Sequence, residues 1–152
     1  MLKKLFIFIT ICFSMLLCSC MSTKDIDLSV IEKKIDSNID TQTYSKGGFK
    51  ELRRFFGLNT DDVLDYLLYT PAYTMSVNEI LIIKLKDTNN IDAIKDSIDT
   101  RVENQISTFG SYGPEQCALL EEYILKSKGN YIFYCVSPDN EKLYDLFKES
   151  IK

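Results

Sequence analysis

Twenty-two carboxylates, five cysteines and no histidine define the chemistry open to this 152-residue chain. Without histidine there is no Ser-His or Cys-His nucleophile pair, no histidine general base and no histidine-bearing zinc site. The spacings S-x-x-K, G-x-x-x-x-G-K-[ST] and G-x-G-x-x-G are also missing. The acids come as neighbours: Asp61-Asp62, Glu121-Glu122, Asp96 with Asp99, and Glu115 after Pro114. Paired acids serve glycosidases and calcium loops. A calcium loop, however, needs several oxygens at close intervals, and a glycosidase needs a long sugar cleft that so short a chain rarely builds. Helix caps, dipole partners and solvated faces account better for most of these acids. The residues call for no cofactor and no metal.

The cysteines divide by position. Cys117 and Cys135 lie deep in the chain and allow two readings: an extracytoplasmic disulfide, or two small buried residues. Their apolar neighbours favour the second. Cys12, Cys18 and Cys20 lie in or beside an apolar stretch, Leu5 to Leu17, that follows the basic pair Lys3-Lys4. That stretch has the length of a secretory core and is short of the about 20 apolar residues a membrane-spanning helix needs. Leu17-Cys18-Ser19-Cys20 resembles the lipobox of bacterial lipoproteins, with Leu at −3, Ser at −1 and Cys at +1. The resemblance implies a diacylglyceryl thioether on Cys20 and cleavage between Ser19 and Cys20. Cys18 is the poorer acceptor, because it would place the large Leu17 next to the cut. The expected organisation is a signal peptide over 1–19, a lipid anchor and short tether over 20–25, and one extracytoplasmic domain over 26–152 held at the cell membrane. A tether this short favours a partner or ligand at the membrane surface.

Charge narrows the partners. Lys3 and Lys4 are the only charges before Cys20, so the mature part carries 16 basic against 22 acidic residues, a net −6. Nucleic acid is therefore not expected, since phosphate binding draws on a basic surface or stripe. In the mature part no basic run exceeds the pairs Lys33-Lys34 and Arg53-Arg54.

Hydrophobic spacing supplies the elements that position these groups. Leu28, Ile31, Ile35 and Ile39 recur at helical intervals behind Asp25 or Asp27 as a cap. After a flexible Ser45-Lys46-Gly47-Gly48 break, Phe49 to Phe56 reads as a short helix stopped by Gly57. Val63 to Tyr69 and Glu79 to Lys86 read as strands, and Ile91 to Thr108 as the strongest helix. Pro114 opens a helical turn. Tyr123 to Ser127 and Tyr131 to Val136 form a hairpin, and Ser137-Pro138-Asp139 caps a last helix. The expected fold is α+β: a four-stranded antiparallel sheet in ββαββα order with helices on one face, preceded by one or two N-terminal helices. The other face would stay open and could offer tyrosines to a ligand, all nine of them lying in the mature part.

The spaced residues Arg101, Phe109, Tyr112, Pro114-Glu115-Gln116 and Leu119-Leu120, then Lys128-Gly129-Asn130-Tyr131 and Ser137, resemble a family of bacterial lipoproteins catalogued as domain of unknown function 4358. The likeness runs from about Phe49 to Phe147. It implies a lipid-anchored extracytoplasmic α+β domain and carries over no enzyme activity. Within that segment Arg101, Tyr112, Glu115 and Gln116 are the candidate binding residues, because polar groups cluster there beside a tight Gly-Pro loop at a helix start. The expected function is a non-catalytic binding or accessory module whose partner is a membrane-surface protein or a small ligand. The alternative is a small carboxylate-dependent hydrolase acting on envelope material.

Overall fold

Leu67-Leu68-Tyr69, Ile80 to Ile83 and Tyr131 to Val136 are unbroken runs of apolar and aromatic residues. A strand with one face in water alternates, whereas an unbroken run has to be covered on both faces. The computed structural model, which describes residues 24–59 and 61–152, shows that double cover. The leader, the lipobox and Cys20 lie outside the described residues.

In chain order the elements are α1 (Leu28–Asn38), β1 (Tyr44–Lys46), α2 (Phe49–Phe56), β2 (Val63–Pro71), β3 (Glu79–Leu85), α3 (Ile91–Phe109), α4 (Pro114–Glu121), β4 (Ile124–Lys128), β5 (Tyr131–Val136) and α5 (Asn140–Ser150). The strands form one sheet in the order β1-β2-β3-β5-β4, every neighbouring pair antiparallel. Leu81, Ile83 and Leu85 of β3 face one layer, where Leu52 and Phe56 of α2, Ile94, Ile98 and Val102 of α3, and Leu120 of α4 close the core. Ile80 and Ile82 face the other, where Leu28, Ile31 and Ile35 of α1 meet Leu143 and Phe147 of α5. None of the described helices is long and apolar enough to cross a membrane.

The α+β class and the antiparallel pairing agree with the sequence reading, but the sheet has five strands instead of four and helices on both faces instead of one, and the expected ββαββα order is broken by β1 between α1 and α2 and by α4 as a second helix before β4. Among the described residues helices cover both faces of the sheet. The extra strand, β1, sits in the segment read as a flexible break. Its three residues carry no apolar pattern and are made a strand by their neighbour, with Tyr44, Ser45 and Lys46 opposite Pro71, Thr70 and Tyr69. Gly47 continues the approach, its N–H donating to the Leu68 carbonyl at 2.9 Å. A Cβ at Gly47 would stand 2.7 Å from Leu68 side-chain atoms, so only glycine lets the chain pass this close.

The sheet also separates the two cysteines. Cys117 packs in the α2–α4 layer and Cys135 in the α1–α5 layer, and both are free thiols. Cys135 is fully buried, which pushes its thiol far above the ordinary range. The reading as two small packed residues fits this placement.

Most tyrosines serve the structure through their hydroxyls. Tyr44 donates to Ser137 Oγ at 2.9 Å, Tyr69 to Asp36 at 2.5 Å and Tyr123 to Asp99 at 2.8 Å. Burial is the main cause that pushes the Tyr44 phenol up to about 12, and it raises those of Tyr69 and Tyr134 as well. Phenols of an unfolded chain ionise near about pH 10. Since the folded values are raised, these groups favour the fold fully below about pH 10, and that contribution disappears as the pH climbs through the folded values. Phenolate absorbance and circular dichroism should therefore show a coupled alkaline transition, with these buried phenols ionising as the structure is lost. Complete phenolate formation with an intact circular dichroism spectrum would contradict this.

Candidate functional site

Glu79 opens β3 with its side chain in the core, fully shielded from solvent. A lone carboxylate there would be costly, and two partners meet it. Arg101, three turns into α3, brings Nη2 to 2.7 Å from Oε1 and Nε to 3.4 Å from Oε2. The Tyr134 hydroxyl donates to Oε2 at 3.3 Å. Burial lifts the Glu79 carboxyl above the usual carboxylate range, more than Arg101 and Tyr134 hold it down. The same burial, together with the negative charge of Glu79, raises the Tyr134 phenol. The Arg101 guanidinium carbon lies 4.3 Å from the centre of the Phe55 ring, and that of Arg54 5.4 Å from the same centre. One aromatic side chain thus holds two cations together.

This cluster forms one wall of a cavity of about 550 Å³ between the C-terminal half of α3, the end of α2 and the β2–β3 loop. Arg54 and Arg101 line it and no acidic side chain does. Gln105 follows Arg101 by one helical turn, is only 7% exposed, and its Oε1 is buried without a donor among the described residues. Tyr73 and Tyr112 stand at the rim, 64% and 54% exposed, where the other tyrosines are buried or half-buried. Tyr112 leans on Phe109, with ring centres 5.5 Å apart. Its position is fixed by a tight turn in which the Gly113 N–H donates to the Phe109 carbonyl at 2.7 Å. A Cβ at Gly113 would come within 2.9 Å of the Phe109 ring, so the turn requires glycine.

Of the four residues singled out from sequence, the structure brings Arg101 and Tyr112 to this cavity and places Glu115 and Gln116 beyond it. Glu115 is exposed in the first turn of α4, where a carboxylate favours the helix dipole. Gln116 is half-buried against Gly113. Arg54, Phe55, Tyr73 and Gln105 were not singled out. Only Gln105 carried a local signal, a polar residue four positions after Arg101 on the same helical face.

The carboxylate pairs are mostly occupied elsewhere. Asp62 accepts from Asn90 Nδ2 at 2.8 Å, and Asp99 from the Tyr123 hydroxyl. A wider depression of about 940 Å³ beside the edge strand β4 does bring Glu122 near Asp139 and Glu141. All three are exposed, with Lys126 and Lys142 among them. Such acids stay solvated and partly neutralised, whereas a general acid needs a carboxyl held protonated by burial. Among the described residues no cluster of Asp, Glu and Cys is arranged to hold a metal ion.

A family model described as "Domain of unknown function (DUF4358)" matches residues 24–137, well over half of the chain. The match takes in the whole Arg101 cavity and stops before α5. No curated protein and no solved structure matches the chain.

Proposed function

The chain belongs to the DUF4358 family, a domain of unknown function, and on that premise we propose that it is a non-catalytic binding module, held by lipid on Cys20 at the extracytoplasmic face of the membrane, whose ligand enters the Arg101 cavity. The observation that carries this reading is the coincidence of the two most exposed tyrosines, Tyr73 and Tyr112, with a cavity that holds two arginines and an unpartnered buried glutamine oxygen. Exposed aromatic rings beside buried polar groups are the usual make-up of a recognition surface. The hydroxyls that line the cavity, those of Thr70, Thr74, Ser76 and Thr108, have no lining carboxylate or histidine to activate them, and the nearby Glu79 is committed to Arg101 and Tyr134.

Two measurements test the reading. Mass spectrometry of the protein from its host membrane should find residues 1–19 removed and diacylglyceryl on Cys20; an unmodified Cys20 would remove the anchor. A photo-crosslinking side chain at position 112 in intact cells should capture a defined ligand or partner that the same group at the distant Ser127 does not. The double substitution Tyr73→Ala, Tyr112→Ala should abolish capture by a crosslinker moved to Thr74 while changing stability by no more than about 0.5 kcal/mol, as for surface positions generally. Equal capture from positions 112 and 127 would argue against the cavity.

A further inference from the structure

We propose that the Arg101 cavity recognises the C-terminal carboxylate of a peptide, with the side chain of the last residue among the aromatic rings at the rim. The inference rests on the binding-module reading and names its ligand class.

Charge is the first support. The mature part is net acidic, yet this cavity is lined by two arginines and no acid. Arg54 makes no ion pair with any described residue. Arg101 commits Nε and one Nη2 hydrogen to Glu79, and its remaining N–H groups have no other partner among the described residues. Guanidinium groups pair with carboxylates through short, parallel hydrogen bonds, and Glu79 holds this one rigid before any ligand arrives.

The buried amide decides what stands next to the anion. Gln105 Oε1 needs a donor, and the cavity wall does not provide one. It sits four residues after Arg101, about 6 Å further along the helix axis. A terminal peptide unit carries both groups at that scale: a carboxylate for the arginines and, one bond from its α-carbon, an amide N–H for Gln105. A fatty acid has the carboxylate and lacks the donor. A phosphate monoester dianion lacks the donor as well, and it would bring two negative charges, against the one of a carboxylate, to the C-terminal half of α3, the negatively polarised end of the helix. Capture of a chain terminus is a known mode of peptide recognition. The apolar remainder of the cavity, Phe55, Pro71, Ala72 and Phe109 with Tyr73 and Tyr112 above, suits a nonpolar last side chain. A volume of about 550 Å³ lies within the range of small-ligand pockets, roughly 300–1,000 Å³.

The test uses the full-length protein purified from its membrane in mild detergent and two randomised hexapeptide pools, one with free C-terminal acids and one with C-terminal amides. The acid pool should be retained at least about tenfold better than the amide pool, the scale of one lost charge-assisted hydrogen bond. Arg54→Ala, an exposed position, should reduce retention of acids by a larger factor than retention of amides. Gln105→Leu should weaken binding of peptides and restore it for depsipeptides whose last amide N–H is replaced by an ester oxygen. Equal retention of both pools, or retention of neither, overturns the proposal. If the crosslinker at position 112 still captures a partner in that case, the binding-module reading survives the loss of this ligand class; if it captures nothing, both fall.

Discussion

Arg101→Ala is expected to cost about 3–5 kcal/mol of folding stability near neutral pH, because removing one member of a buried ion pair leaves the other charged and alone. Glu79 is the residue left behind, fully enclosed between β3 and α3 with only the Tyr134 hydroxyl to donate to it. Small domains have about 5–15 kcal/mol in total, so the variant would sit near the limit of folding. The loss should depend on pH in a defined direction. Burial already raises the Glu79 carboxyl, and without Arg101 it rises further. A group with a raised folded value contributes its full stability below the unfolded value, about pH 4.3 for Glu, and loses it as the pH rises through the folded value. Urea unfolding should therefore show a variant closer to wild type at pH 4.5 than at pH 8. The paired change Glu79→Leu, Arg101→Leu removes both charges and should recover much of the loss. An Arg101→Ala variant within about 1 kcal/mol of wild type at pH 8 would mean that the pair is not buried as described.

Phe133→Ala is the second large effect, again about 3–5 kcal/mol, the usual range for emptying a buried aromatic site. Phe133 points into the α1–α5 layer with no exposed surface, stacked on Phe147 at 5.1 Å and tilted against Tyr144 at 5.4 Å. An open sheet face would make this change cheap, as it should be for Leu64→Ala, where Leu64 is more than half exposed. Unfolding curves of the two variants side by side decide between a covered and an uncovered face. Equal small losses would favour the uncovered one.

The covered second face was written in the residue order, and two expectations obscured it. Glu79 to Leu85 and Tyr131 to Val136 lack the alternation of a half-solvated strand, a pattern that calls for cover on both sides. The helix at Leu28 to Asn38 is legible from its spacing, and its Ile31 and Ile35 need a face to cover as much as Ile98 does. Strand β1 could not be found locally, since Tyr44-Ser45-Lys46 becomes a strand only when β2 is beside it. The candidate site was half legible for a similar reason. Arg101 and Tyr112 share one stretch of chain, whereas Arg54, Phe55 and Tyr73 come from other elements and meet them only in the folded protein. Glu79, an acid at the head of an apolar strand, was the one visible sign that a buried cation had to be near.

Where the described chain begins gives the cavity a direction. Asp25 pairs with Lys84, the Ile26 N–H donates to the Tyr131 hydroxyl at 3.2 Å, and the Lys24 N–H meets the Ile151 carbonyl. This clasp closes on the α1–α5 side at the far end of β3, while Glu79 and Arg101 lie on the opposite side at its near end, about 17 Å away along the strand. With the anchor proposed at Cys20, the clasp is the floor of the molecule and the cavity opens near its roof. Under that proposal the folded body would do the work of a stalk: its height, and not the few residues of tether, would set how far from the bilayer a ligand is met. Lengthening the tether would loosen the orientation of the cavity more than it would extend the reach.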